Sequence, residues 1–295
     1  MRFDCKVTGI IMSVKISELL RYTRNAFAGY GIENARFEAE QILIKSGIPR
    51  QQLMLEPNES VSPECEQRTK ELLEKRLSGY PLQYLIGEWS FYGCEFKVGE
   101  GVLIPRQDTE TIAELADGFL KKRSPNERKI LDLCAGSGCI GIALSKACGA
   151  VTTSVEKSEE AFRYLSENIE LNGVSDRVTA IRGDIFSEEI LEQLGGEYDV
   201  IVSNPPYLTE QDMDNLQKEV TFEPKDALYG GEDGLDFYKK IPKYYLEKLK
   251  KGGLFAVEIG IGQENEVADI FTAFGLVPMF REDMCKINRV VFSIK

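Results

Sequence analysis

The sequence predicts an α/β protein: an open, mostly parallel β-sheet of seven strands with helices on both faces and an antiparallel edge, preceded by a small helical bundle. Three observations carry this. From Lys129 onward, short apolar runs alternate with helix-length segments that keep a polar face, the pattern of βα units wound on a parallel sheet. A glycine-rich turn, Ala135-Gly136-Ser137-Gly138, joins the first apolar run to a helical segment. Upstream, residues 14–80 show helical periodicity and no alternating run.

The elements follow in order. Met12 is a second candidate start, which would make Met1–Ile11 an extension; its apolar patch Val7–Ile11 lacks the long core and small-residue cleavage site of a signal peptide. A helix is expected around Ser17–Phe27. A second has Ala35, Ala39, Ile42 and Leu43 on one face, Asn34 as its N-cap and Gly47 as its stop. A third begins at Ser62-Pro63, a cap followed by proline at the first helical position, and lines one face with Leu72, Leu73 and Leu77 up to Gly79. Phe91-Tyr92-Gly93 and Phe96-Lys97-Val98 suggest a hairpin. The next helix is capped by Asp108, carries Ile112, Leu115, Ala116, Phe119 and Leu120 inward, and ends in Lys121-Lys122-Arg123 where a helix dipole favours cations. Strands are expected at 129–133, 151–156, 177–183, 198–203, 253–259 and 287–294, the last paired antiparallel with an apolar patch at Phe274–Met279. The expected organisation is a helical recognition domain over 1–88, a β-hairpin linker over 89–106 and an α/β domain over 107–295.

Composition removes several function classes. No apolar run approaches the roughly 20 residues that span a bilayer. There is no histidine, which excludes Ser-His, Cys-His and His-metal schemes. The seven cysteines form no CxxC pair; neither a disulfide framework nor a metal site is expected, and the usage fits the cytoplasm. The net charge is −12, and residues 91–295 hold 36 acidic against 24 basic groups. Duplex-binding proteins present a basic face, so nucleic acid is disfavoured as direct substrate and a basic protein partner is favoured. A chain of 295 residues buries enough core to stand alone, and a monomer is expected.

Two motifs carry chemistry. In Ile130-Leu131-Asp132-Leu133-Cys134-Ala135-Gly136-Ser137-Gly138-Cys139-Ile140-Gly141, a strand, a glycine turn and a helix follow one another. Gly136 and Gly138 let the backbone approach a ligand, and the helix start behind them favours negative charge. Glu156 ends the next strand, where a carboxylate accepts the two hydroxyls of a ribose. Asp184 ends the third strand; it suits an adenine amino group, with Ile185 packed on the ring, and also a helix N-cap. Read alone, the glycine turn is equally a tight βα corner; its AxGxG spacing resembles the S-adenosylmethionine loop of class I methyltransferases rather than a dinucleotide fingerprint.

The second motif, Asn204-Pro205-Pro206-Tyr207, closes the apolar run Asp199-Val200-Ile201-Val202-Ser203. Asparagine supplies a carbonyl acceptor; the prolines lack an N–H and fix φ, holding the local carbonyls in place. Tyr207 adds a flat wall. The combination is a socket for a planar NH2 group, although an Asn-Pro turn also opens many ordinary loops.

With these motifs in order on successive strands, the chain resembles the HemK/PrmC-type protein-glutamine methyltransferases. The resemblance extends to Pro81-Leu82-Gln83-Tyr84-Leu85-Ile86-Gly87, to Leu103-Ile104-Pro105-Arg106-Gln107-Asp108-Thr109-Glu110, to Phe222-Glu223-Pro224 and to Arg289-Val290-Val291. It implies methyl transfer from S-adenosylmethionine, leaving S-adenosylhomocysteine, to the glutamine amide of the Gly-Gly-Gln motif in class I peptide-chain release factors. Cofactor contacts are then implied at Asp132, Cys134, Ala135, Gly136, Ser137 and Gly138, and further at Glu156, Asp184, Ile185 and Asn204. Catalytic roles fall to Asn204, Pro205, Pro206 and Tyr207, with Arg106 and Glu223 as candidates for the glutamine pocket. Four positions depart from the family pattern: Gln107 for Pro, Glu156 for Asp, Cys134-Ala135 for Gly-Thr, and Lys286 where Gly is common. The nearest alternatives are an amino methyltransferase on nucleic-acid bases at adenine N6, glutamine methylation of a ribosomal protein, and a non-catalytic cofactor-binding protein.

Overall fold

The computed structural model describes residues 14–125 and 128–295; the candidate start at Met12 and extension Met1–Ile11 lie outside the described residues. The chain divides into two compact units, one ending at Ile86 and the other beginning at Gly87.

The first unit is helical: α1 (Ile16–Gly29), α2 (Ala35–Ser46), α3 (Arg50–Leu55), α4 (Pro63–Leu77) and α5 (Leu82–Ile86). Periodicity predicts α1, α2 and α4; α3 and α5 span six and five residues, too short to show a period. Ser62 caps α4 by accepting from the Cys65 amide at 3.2 Å. Asn34 does not cap as expected: it occupies the N-cap of α2, but its side chain makes no capping bond and only its carbonyl serves, accepting from the Glu38 amide. The leucine face of α4 is also corrected. Leu73 is buried with Thr69 and Arg76, while Leu72 and Leu77 are half-buried. Arg76 turns inward because Glu38 of α2 meets its guanidinium twice, Nε at 2.7 Å and Nη2 at 3.1 Å. Ile16, Leu19, Leu43, Ile48, Leu53 and Val61 form a core cluster in this unit.

The second unit opens with a hairpin of β1 (Glu88–Phe91) and β2 (Cys94–Lys97). Its two loop residues, Tyr92 and Gly93, both have positive φ, 47° and 73°, as a two-residue loop with right-handed strand twist requires. Then come α6 (Glu110–Leu120), β3 (Lys129–Leu133), α7 (Cys139–Cys148), β4 (Val151–Glu156), α8 (Glu159–Leu171), β5 (Val178–Arg182), α9 (Glu188–Gln193), β6 (Tyr198–Ser203), α10 (Glu210–Asp214), α11 (Asp236–Tyr245), β7 (Leu249–Glu258), α12 (Glu264–Ala273), β8 (Met279–Glu282) and β9 (Asn288–Ile294). The segment expected as a linker is part of this unit. Asn168 of α8 accepts from the Lys97 amide at 2.7 Å, donates to the Lys97 carbonyl at 3.1 Å, and donates to the Ser137 carbonyl at 3.0 Å. One buried amide thus joins the hairpin to the glycine turn.

The seven-stranded sheet runs β5-β4-β3-β6-β7-β9-β8. β3 to β7 are parallel, and β9 is antiparallel to β7 and β8. The antiparallel edge is as expected, but β8 begins only at Met279, because Phe274 and Gly275 close α12. Asp108 is not the cap of α6; Thr109 holds that position, and the Asp108 carboxylate pairs with Arg289 at 2.8 Å. Leu131, Leu133, Ile201, Phe255, Val257 and Phe271 share a core cluster with the fully buried Tyr238 and Tyr245. The order reverses between β3 and β6, which opens a crevice at the carboxyl ends of the strands.

Candidate active site

A cavity of about 580 Å³ occupies that crevice. Cys134 and Gly136 enter it from the end of β3, Glu156 from β4, Asp184 and Ile185 from the loop after β5, and Asn204 and Pro206 from the loop after β6. Four strand ends that are distant in sequence therefore bring both motifs to one hollow.

The glycine turn is built around Glu156. Gly136 (φ 56°) donates its amide to Glu156 Oε2 at 2.8 Å, and Ser158 donates to Oε1 at 2.7 Å. Each carboxylate oxygen is thus aimed by one backbone donor and keeps a lone pair for a ligand. Burial pushes the Glu156 carboxyl up, against the opposing pull of the Ser158, Gly136 and Lys157 amides. Gly138 and Gly141 act on packing. A Cβ on Gly138 would meet Leu165 and Ile142 at 2.4 and 2.8 Å, and one on Gly141 would meet Ser154 and Asp132 at 2.7 and 2.8 Å. The bare Gly141 seats α7 directly on β3 and β4, and the bare Gly138 leaves room for the Ile142 and Leu165 side chains of α7 and α8.

Asp132, Ala135, Ser137 and Gly138 stand behind the cavity surface. Asp132 is 1% exposed and accepts from the Gly141 amide at 3.1 Å and Ser154 Oγ at 3.2 Å, while its Oδ1 has no hydrogen-bond partner among the described residues. Burial raises its carboxyl to about 7. Cys134 has a φ of 58°, the left-handed backbone that glycine adopts without cost. Burial and the neighbouring Glu156 push its thiol up, so it stays protonated. Asp184 accepts from the Phe186 amide at 2.9 Å and pairs with Lys157 at 3.0 Å. These contacts outweigh its burial and hold the carboxyl below its usual value. The helix cap that Asp184 was a candidate for belongs to Ser187, which accepts from the Ile190 amide.

The Asn204–Tyr207 turn is clamped from behind. A Cβ on Gly230 would lie 2.6 Å from the Pro206 carbonyl oxygen and 2.7 Å from Tyr207 Cα; one on Gly260 would lie 3.0 Å from the Tyr207 ring. Gln263 Nε2 donates to the Tyr207 carbonyl at 3.0 Å. Pro205 and Pro206 are buried; Tyr207 is half-buried against the core cluster, and burial pushes its hydroxyl up. Asn204 Nδ2 donates to Thr109 Oγ1 at 3.2 Å. Close to both lies Glu258, 3% exposed, with Oε2 lacking a hydrogen-bond partner among the described residues. Burial raises its carboxyl to about 7, against the pull of Thr109, Arg289 and Asn204. Sequence reading missed Thr109 and Glu258 because one reads as a helix start and the other as the end of an apolar strand.

Arg106 and Glu223 meet each other instead of lining the cavity. Glu223, 4% exposed, pairs with Arg106 and accepts from the Ile104 amide at 3.0 Å. Their neighbours Leu103 and Pro224 line the cavity, so the pair ties two of its walls together. Among the described residues, no group of three or more potential metal ligands occurs.

The sheet order, with its antiparallel edge and a cavity at the parallel strand ends, is that of a class I methyltransferase. Solved structures share the fold: the hMettl16 catalytic domain in complex with the MAT2A 3'UTR hairpin 6 (TM-score 0.55, 16% identity, 69% of this chain and 76% of that one) and a methyltransferase from Pyrococcus furiosus (TM-score 0.51, 19% identity, 78% and 98%). The PrmC N-terminal domain model matches residues 18–87 and the methyltransferase small domain model matches residues 113–232. The release factor glutamine methyltransferase of Geobacter sulfurreducens is 40% identical over 94% of this chain and 95% of its own length, and that of Thermodesulfovibrio yellowstonii 38% identical over 88% and 92%. The chain belongs to the release factor glutamine methyltransferase family.

Proposed function

We propose that this protein transfers a methyl group from S-adenosylmethionine to the side-chain amide nitrogen of the glutamine in the Gly-Gly-Gln motif of a class I peptide-chain release factor. The observation that carries this reading is that Asn204 and Pro206 line the same cavity as Gly136, Glu156 and Asp184. An amide-binding turn and a nucleoside-binding turn thus open on one space, within a family whose relatives bear that name.

The cavity residues fit the cofactor. A volume of about 580 Å³ lies within the usual range for small-molecule sites, and the Glu156 carboxylate is aimed by two amides while retaining acceptor capacity for two ribose hydroxyls. Asp184 at the mouth accepts an adenine amino group, with Lys157 yielding its place. Bound S-adenosylmethionine supplies an electrophilic methyl group on a sulfonium leaving group. The protein must then position a poor nucleophile, an amide nitrogen whose lone pair is delocalised into its carbonyl. The Asn204 side-chain oxygen and the Pro205 carbonyl accept the two N–H hydrogens of the glutamine amide. These acceptors stabilise the positive charge that develops on nitrogen most strongly in the transition state. Tyr207 walls the amide plane, and the lost proton passes to water, so no histidine is needed.

The helical first unit serves substrate recognition, and the enzyme acts in the cytoplasm as a monomer; among the described residues no helix is long and apolar enough to cross a membrane. Peptide mass spectrometry of the release factor after incubation with enzyme and cofactor tests the reaction. The peptide containing Gly-Gly-Gln should gain one methyl group, on the glutamine. Asn204→Ala should lower the rate about 100-fold or more with cofactor affinity within a few-fold of wild type; equal methylation by the variant would refute the role given to Asn204.

A further inference from the structure

Two irregular segments wall the cavity opposite the strand ends. Leu103 faces it from the segment between β2 and α6, and Pro224, Lys225, Asp226 and Ala227 face it from the segment between α10 and α11. Such segments carry few contacts of their own and take their position from what ties them down. Resting on the S-adenosylmethionine reading of the cavity, we infer that Arg106 and Glu223 are positioning residues for the cofactor: their ion pair holds both segments closed on it and sets how tightly it is held.

The second segment is pinned on either side of its cavity-facing stretch. Downstream, Leu208 donates to the Leu228 carbonyl and Gly230 donates to the Leu208 carbonyl, each at 2.9 Å. Upstream the anchor is Glu223, whose Oε2 accepts from the Ile104 amide at 3.0 Å and whose Oε1 meets Arg106 Nη2. Val102, Ile104 and Pro105 are buried around Leu103, so the Ile104 amide needs an acceptor inside the protein. Glu223, 119 positions away in the chain, supplies it. The pair is also suited to release. The Glu223 side chain is 1% exposed and that of Arg106 38%. Two packed apolar side chains would join the segments without desolvating a charge. A carboxylate held inside and a guanidinium partly in water make a joint that opens toward solvent and closes again, as the walls around an exchangeable ligand must. A single guanidinium nitrogen makes the contact with Glu223, so a lysine ammonium can reproduce it and a glutamine cannot supply its charge.

Arg106→Gln, Arg106→Lys and the double variant Arg106→Gln, Glu223→Gln, which leaves no unpaired buried charge, are compared with wild type. The measurements are calorimetric affinity for S-adenosylhomocysteine, kcat and KM for the release factor at saturating S-adenosylmethionine, and deuterium uptake of the ligand-free proteins. Arg106→Gln and the double variant should weaken affinity about 10- to 100-fold, because apparent affinity falls with the closed fraction. Their kcat and release-factor KM should stay within a few-fold of wild type. Uptake should rise at residues 101–106 and 223–230 and stay unchanged in β3 and β6. Arg106→Lys should recover both affinity and protection. Wild-type affinity in the glutamine variants, with or without a raised KM for the factor, would overturn the inference; so would uptake rising throughout the sheet, or equal impairment in Arg106→Lys. Failure of the wild-type protein to bind S-adenosylhomocysteine would refute the cofactor reading, and uptake at the two segments would still decide whether the pair holds them closed.

Discussion

Glu156 does two things with one carboxylate: it fixes the glycine turn through the Gly136 amide, and it keeps acceptor capacity for the ligand. Glu156→Ala should weaken S-adenosylmethionine binding by about 10- to 100-fold, the equivalent of about 1.5–3 kcal/mol for hydrogen bonds to a charged group. Calorimetry showing unchanged affinity would remove Glu156 from the site. At this scale the placement of Gly136, Glu156, Asp184 and Asn204 on one cavity was legible because each ends or closely follows a predicted strand. Asp132 was legible as part of the motif, but its carboxyl faces α7 and Ser154, a direction that spacing along one strand does not reveal. Thr109 and Glu258 were not legible, since only the register of β6 and β7 and the docking of α6 bring them to Asn204. Lys286 has a φ of 65°, a left-handed backbone that glycine adopts without strain.

The element to which the proposed function assigns the reaction is the turn after β6, and its shape is set by a second segment packed behind it. Leu208 donates to the Leu228 carbonyl at 2.9 Å, and Gly230 donates back to the Leu208 carbonyl at 2.9 Å. Gly230→Ala would drive a methyl group into the Pro206 and Tyr207 backbone. Overpacking of this kind costs about 1–3 kcal/mol. The variant should show a lower urea midpoint and slower methyl transfer together; wild-type values for both would mean that the turn can yield. Strands β3, β4 and β6 were predicted with their observed bounds: β6 carries the apolar run Val200-Ile201-Val202 of a buried parallel strand, and β4 is rich in β-branched Val151, Thr152, Thr153 and Val155. The clamp was invisible in sequence. Its glycines look like ordinary loop residues until a contact across 24 positions, from Pro206 to Gly230, gives them a reason.

For the whole molecule, carboxyls raised by burial tie stability to pH: Asp132 and Glu258, with Glu156 acting in the same direction. Asp132 and Glu258 both titrate near about 7 in the folded protein, above their ordinary values of 3.8 and 4.5. The folded state therefore binds more protons than the unfolded chain between those limits. Their contribution to stability is full below about pH 4 and is lost as pH rises through about 7. The carboxyls held low, Asp184 and Asp233 among them, titrate below that window. Urea midpoints of the ligand-free protein should fall between about pH 5 and pH 8, and the double variant Asp132→Asn, Glu258→Gln should flatten the decline; an equal decline in the variant would contradict this. The measurement that bears most directly on function is transfer of labelled methyl from S-adenosylmethionine to a class I release factor, run beside the same factor with Gln→Ala in its Gly-Gly-Gln motif and beside duplex DNA. Label on the wild-type factor alone is the predicted result; label on DNA, or equal label on the Gln→Ala factor, would contradict it.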